Sequence, residues 1–247
     1  MKALLALTLR ELKSLWYSPI GSIVGALFLL IQGVVFWLLV LILNDPRSDA
    51  SWNMARLFFG GFFYWLSLFI TVPTLTMRTF SEEKRTGSIE LLLTAPVTET
   101  QVVLSKFLGA WIAYALLWLC TAGYFVVLRF YTPFDWGPVA AGYAGTLLMG
   151  AMLIAIGVLS SSFTRNQVIS GLCAFVVVLL IFCVGLLTVF VRDPGTLDTV
   201  RYLSLPDHIN DFAKGYIDTR PMVLYASVAA IALLFTGRVI ANPRWRS

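Results

Sequence analysis

Charge is what this sequence has least of, and the chemistry that depends on charge is missing with it. Asp, Glu, Lys and Arg make up only 13% of the 247 residues, about half the share usual in soluble domains. The single histidine, His208, stands alone in a polar loop, where a solvated or capping role suits it better than metal ligation. Cys120, Cys173 and Cys183 lie inside apolar runs without paired spacing, and read as small buried hydrophobes. No Gly-Lys pair occurs anywhere, so the phosphate-cradling loop of ATP-binding proteins cannot be written. The apolar runs carry no chain of Asp, Glu or His at mid-depth, which a proton- or sodium-coupled carrier needs. No nucleophile–base arrangement can be assembled either. These absences exclude an enzyme and leave a chain with no energy source of its own.

Apolar length is what is there. Hydrophobic residues are 59% of the chain and the mean hydropathy is +0.84. A hydrocarbon layer of about 30 Å needs roughly 20 apolar residues in a helix. Six stretches qualify, at about 20–43, 57–77, 107–131, 139–163, 168–191 and 222–240. They leave no room for a separate soluble domain, so 1–247 reads as a single transmembrane domain. The first run is too long for the apolar core of a cleaved leader and follows an amphipathic lead-in, so none is expected.

The net charge of +5 does not point to nucleic acid, because its placement follows the membrane. With a cytosolic N-terminus and six spans, eleven of the eighteen Lys and Arg fall inside and eight of the thirteen acids fall outside. That is the positive-inside bias, and it places both termini in the cytosol.

Residues 1–18 read as an interfacial helix with Leu5, Leu9, Leu12 and Trp16 on one face and Arg10, Glu11, Lys13 and Ser14 on another. A plain extension of the first span is the alternative. Pro19 turns the chain into that span. Gly21 and Gly25 permit close helix contact. Gln32 sits mid-span, where it either bonds a neighbouring helix or lines a pathway. Span two is aromatic, and Pro73 is expected to kink it near its inner end. Span four carries Gly142, Gly145, Gly150 and Gly157 and is expected to pack deep in the bundle. The polar stretch 192–221 holds Leu203, Leu205, Ile209, Phe212 and Tyr216, enough to lie against the membrane or dip partly into it, and these five are expected to cover the outer mouth of the bundle as short helices broken at Pro206. Leu205, Ile209 and Phe212 are the candidate outer gate.

The insert 80–106 remains. Its segment from Phe80 starts with charge, passes a Gly, and runs as an apolar helix-like stretch to Pro96. It would bury Ile89, Leu92 and Leu93 while presenting Glu82, Glu83, Lys84, Arg85 and Glu90. A solvated loop with an incidental amphipathic turn fits the residues equally.

The string SEEKRTGSIELLLTAPVT from Ser81, followed by VLSKFLGA from Val103, resembles the segment between spans two and three of ABC-2-type permeases. These are membrane subunits of bacterial ABC transporters whose ATPase is a separate chain. The stretch YLSLPDHINDFAKGYID from Tyr202 is similar to the outer loop of the branch that holds gliding-motility-associated and nitrous-oxide-reductase-maturation permeases. Thr219-Arg-Pro departs from the acidic or polar start of the last span more common there.

The resemblance implies an all-α integral membrane protein: an N-terminal interfacial helix, six transmembrane helices, a cytosolic coupling helix between spans two and three, and an outer re-entrant helical loop between spans five and six. It assigns ATPase docking to 80–93, with Phe80, Glu82, Glu83, Lys84, Arg85, Thr86, Gly87, Ile89 and Glu90 as its residues. The implied partners are an ABC ATPase subunit carrying ATP and Mg, a second permease copy and the bacterial inner membrane, with room for a periplasmic accessory protein. No cofactor is expected on this chain, and no nucleic acid. The expected function is ATP-driven export or remodelling of a substrate; the alternative is a structural anchor for an envelope or gliding machine.

Overall fold

The computed structural model describes residues 2–44, 54–88, 98–131, 133–191 and 193–242, and every regular element among them is helical. Helix α1 (Lys2–Trp16) meets α2 (Pro19–Asn44) at an elbow, with Pro19 as the first residue of the new helix. That position suits proline, whose missing N–H would find no helical partner there. Gly21 lets the elbow close: a Cβ on it would lie 1.9 Å from the Leu15 carbonyl oxygen.

The next crossing is broken. Helix α3 (Met54–Gly60) and α4 (Phe62–Thr76) are separated by extended backbone at Gly61, and α3 is bent by 44° from the run Phe62–Thr86 that α4 opens. The break lies at this glycine pair, whereas α4 runs through Pro73 and ends one residue before Met77. Proline removes a single bond so near a helix end, and Met77 N–H still reaches the Pro73 carbonyl. Short helix α5 (Ser81–Thr86) follows.

Helix α6 (Glu99–Arg129) has 31 residues, about 46 Å at 1.5 Å per residue, so it outruns the hydrocarbon layer. A reciprocal capping box starts it, with Thr98 Oγ1 accepting from Gln101 N–H and Gln101 Oε1 accepting from Thr98 N–H. Helices α7 (Trp136–Ser162) and α8 (Gln167–Leu186) cross back and forth. After a 3-10 turn at Leu187–Val189 come α9 (Pro194–Leu203), α10 (Leu205–Ala213) and the last long helix α11 (Thr219–Ala241).

Among the described residues, five helices are long and apolar enough to cross a bilayer, or six where the bent pair counts as one span. The chain is a multi-pass membrane protein. The bundle has two ends. We call the one carrying α1, α5 and the start of α6 the near end, and the one carrying α3, α9 and α10 the far end.

Helix α7 is the axis of the packing. Its apolar window is 61% buried, against 17–39% for the other four long helices. Small residues explain this: a Cβ on Gly150 would lie 2.2 Å from Tyr114, and one on Gly157 2.3 Å from Thr76. Beside it sits an aromatic cluster in which Trp118 takes Phe28 and Tyr64 at 5.1 and 5.2 Å and Phe58 takes Phe125 at 5.1 Å.

The outward faces are apolar. Ile23, Leu27, Leu30, Val34, Trp37 and Leu41 of α2 are exposed at alternating three- and four-residue steps. Cys120, Cys173 and Cys183, read as buried from their apolar context, are exposed free thiols on the outside of the bundle. In a bilayer the outer face is as apolar as the core, so hydropathy does not separate the two.

Candidate functional site

At the near end, α5 is fastened to the bundle by its own backbone and by three of its charges. Phe80 and Ser81 both donate their N–H to Ser161 Oγ, at 3.0 and 3.1 Å, and Phe80 is fully buried. Lys84 Nζ donates to the Ser162 carbonyl at the C-terminus of α7, where the helix dipole favours a cation. Burial, and then nearby Arg165, push the Lys84 ammonium below its ordinary pKa. The helix carries acids in its first turn and bases in its last, and ends at Gly87 with φ of 71°. That left-handed cap favours glycine.

Arg78 grips Glu82 with both ends of its guanidinium, at 2.9 and 3.0 Å, and also donates to Ser18 Oγ in the α1–α2 elbow. A second cluster is deeper. Lys106 on α6, with a side chain only 2% exposed, pairs with Glu83 at 2.8 Å and Glu11 at 3.2 Å. Its ammonium also stands 5.1 Å over the Phe80 ring. Arg10 reaches Glu11 at 3.2 Å and Glu83 at 3.6 Å. Two cations and two carboxylates thus close a neutral network across α1, α5 and α6.

Helix α1 presents three faces. Thr8 is buried, and Glu11 lies so close to α6 that a Cβ on Gly109 would come within 2.8 Å of it. Leu5, Leu9 and Trp16 point away from the bundle and are exposed. Leu12, expected with them, packs partly against the core instead.

Among the expected docking residues, Phe80, Glu82, Glu83 and Lys84 are therefore engaged within the chain. Arg85, Thr86 and Gly87 are exposed, and Ile89 and Glu90 lie outside the described residues. The hub's other members, Glu11, Arg78, Lys106, Ser161 and Ser162, were not expected as site residues. Thr98 and Gln101 were the available signal. A capping box there starts α6 two turns before the hydropathic span and carries Lys106 into the near-end cluster.

Gln32 is fully buried and donates to Ser67 Oγ at 3.0 Å, tying α2 to α4. Its Oε1 is buried without a partner.

At the far end, Ser204 ends α9 and caps α10, its Oγ accepting from Asp207 N–H at 3.3 Å. The break is at Ser204; Pro206 sits in the first turn of α10, where proline is tolerated. Leu205, Ile209 and Phe212 are buried. Leu203 and Tyr216, expected to be covered as well, are 43% and 70% exposed. Helical period is the reason: 205, 209 and 212 share one stripe of α10, while Leu203 belongs to α9 and Tyr216 lies beyond the helix end. The stripe seats on glycine, since a Cβ on Gly145 would meet Phe212 at 2.7 Å. His208, expected to be solvated, is 7% exposed and pairs through Nδ1 with the Tyr225 hydroxyl at 3.0 Å. Burial lowers its pKa, with Asp207, Asp211 and Asp218 pulling the other way.

Residues 44–205 match the model of a family described as ABC-2 family transporter protein. The match takes in α3 through α9, including the whole 80–106 insert. No curated protein matches the chain.

Proposed function

We propose that this chain, which belongs to the ABC-2 transporter family, is the permease subunit of an ATP-driven transporter and takes up work through α5. Members of the family work with an ABC ATPase subunit, and that partner carries ATP and Mg here. The single observation that carries the reading is the Lys106–Glu83–Glu11 cluster. A push on α5 cannot be absorbed locally. It loads α6 through Lys106, α1 through Glu11 and α7 through Ser161, so helices shift as rigid bodies. Docking falls to the exposed end of α5, Arg85, Thr86 and Gly87, with Ile89 and Glu90 following. Glu82, Glu83, Lys84 and Phe80 transmit the push.

The whole chain, 1–247, acts as one transmembrane domain. The near end faces the cytosol of a bacterium, with both termini there, because the Lys and Arg excess lies on that side. A second permease copy is supported by the α2 stripe, whose three–four spacing suits a helix partner. The loop from Tyr202 supports the gliding-motility and nitrous-oxide-reductase-maturation branch, with α9 and α10 as a re-entrant outer gate and a surface for a periplasmic accessory protein. Export or remodelling of a substrate follows; Gln32 serves packing first, through its bond to Ser67, with the buried Oε1 left without a partner.

Arg85→Glu tests the docking face without touching the cluster. Co-expressed with its ATPase, the variant is expected to insert normally and to lose most of the copurifying ATPase. Full retention of the ATPase, with wild-type turnover, contradicts the assignment. A complex whose ATPase never responds to α5 variants points instead to the anchor role.

A further inference from the structure

We propose that the far end binds a phosphoethanolamine group, the zwitterion of a phosphate and a primary ammonium, in the cavity between α3, α9, α10 and α11. The cavity is about 660 Å³, within the range of small-molecule sites. This reading goes beyond ATP coupling and does not depend on it.

The charges around the cavity are balanced and mostly unpaired. Lys214 is bridged to Asp211 at 2.8 Å. The remaining ionic lining is three arginines, Arg56, Arg201 and Arg220, and three aspartates, Asp198, Asp207 and Asp218. Among the described residues, none of these six stands within 4 Å of an opposite charge. A plain anion would face the carboxylates and a plain cation the guanidiniums. A net-neutral ligand with separated charges satisfies both.

Each end of the ligand follows from a specific feature. The arginines come from three different helices, α3, α9 and α11, and sit at the exposed rim. Guanidinium forks converging from several directions suit a group with several oxygens, and phosphate offers more than a carboxylate does. The floor is His208, which is buried, and Asp207, whose Oδ2 is buried and accepts no hydrogen bond. An orphaned buried carboxylate oxygen requires a donor. A primary ammonium supplies three N–H donors; a trimethylammonium supplies none. His208 stays neutral because burial depresses its pKa, so it does not repel an ammonium. Ethanolamine is thereby favoured over choline.

The group can arrive as the headgroup of a bilayer lipid or as a soluble phosphodiester. Full-length protein in nanodiscs of phosphatidylcholine and phosphatidylglycerol, free of ethanolamine lipid, is titrated by calorimetry with glycerophosphoethanolamine and with glycerophosphocholine. In parallel, native mass spectrometry compares retention of phosphatidylethanolamine and phosphatidylcholine. The expected result is at least a tenfold preference for ethanolamine in one arm or both. Preference only in the lipid arm identifies a headgroup site; preference in the titration identifies a soluble ligand. Asp207→Asn and Asp198→Asn should reduce that preference, and Arg201→Gln should weaken both compounds, with Arg201→Lys restoring part of the binding. Wild-type protein that treats ethanolamine and choline alike, or binds neither in either arm, overturns the proposal whatever the variants do.

Discussion

Lys106 carries the most consequence for a single side chain here. Its ammonium is almost wholly buried yet holds two carboxylates and an aromatic face. Removing one member of a buried ion pair leaves the others uncompensated, at a cost of about 3–5 kcal/mol. Arg10 still contacts Glu11 and Glu83 after the loss, so Lys106→Met should sit at the low end, about 3 kcal/mol. Denaturation of the purified chain measures it. Glu83→Gln in the same background should add less than it does alone, because the two groups act as one network. Full additivity would mean that the pair is not coupled. A charge at the edge of an apolar run reads as an end of span, and nothing in its neighbours shows that Glu11, ninety-five positions earlier, comes to meet it.

At the scale of elements, the far-end helices owe their seat to small residues on their neighbours. Gly145→Leu should force Phe212 out of the stripe it shares with Leu205 and Ile209. Overpacking of this kind costs about 1–3 kcal/mol, and cysteine labelling at position 209 should rise with it; unchanged labelling would contradict the packing. The His208–Tyr225 contact adds a pH signature. His208 has a lowered pKa in the folded state, so the unfolded chain takes up its proton first as pH falls through 6.5. Stability is then lost with acidification from about that pH, the usual histidine value, down to the folded pKa, and is flat above it. Thermal unfolding between pH 7.5 and 5 should show this slope in wild type and a shallower one in His208→Gln, values of pH spanning about the ordinary histidine range; equal slopes would remove the assignment.

The long helices were legible from hydropathy, because a run of apolar residues long enough to cross a bilayer has few other uses. Their ends were less so. Hydropathy stops at the membrane surface, while α6 continues for two turns on its capping box. The bend at Gly61 was missed because Pro73 is the louder signal, although a proline one turn from a helix end disturbs little. Within the candidate site, the segment 80–87 could be read as a charged helix start, but not which of its charges faced inward. That depends on where Ser161, Ser162 and Lys106 arrive, which is set by packing of α6 on α7 and not by local sequence.

For the whole molecule, the central claim is that motion imposed on α5 reaches the rest of the bundle through the Lys106 cluster. A direct test uses paired spin labels in the reconstituted complex with its ATPase, one at Leu5 on exposed α1 and one at Val223 on the exposed face of α11. The distance between them is read by pulsed electron paramagnetic resonance, without nucleotide and after trapping with ATP and vanadate. The account predicts a shift on trapping in wild type and its loss in Lys106→Met, with the ATPase still bound. A shift of the same size in Lys106→Met, or none in wild type, would contradict it.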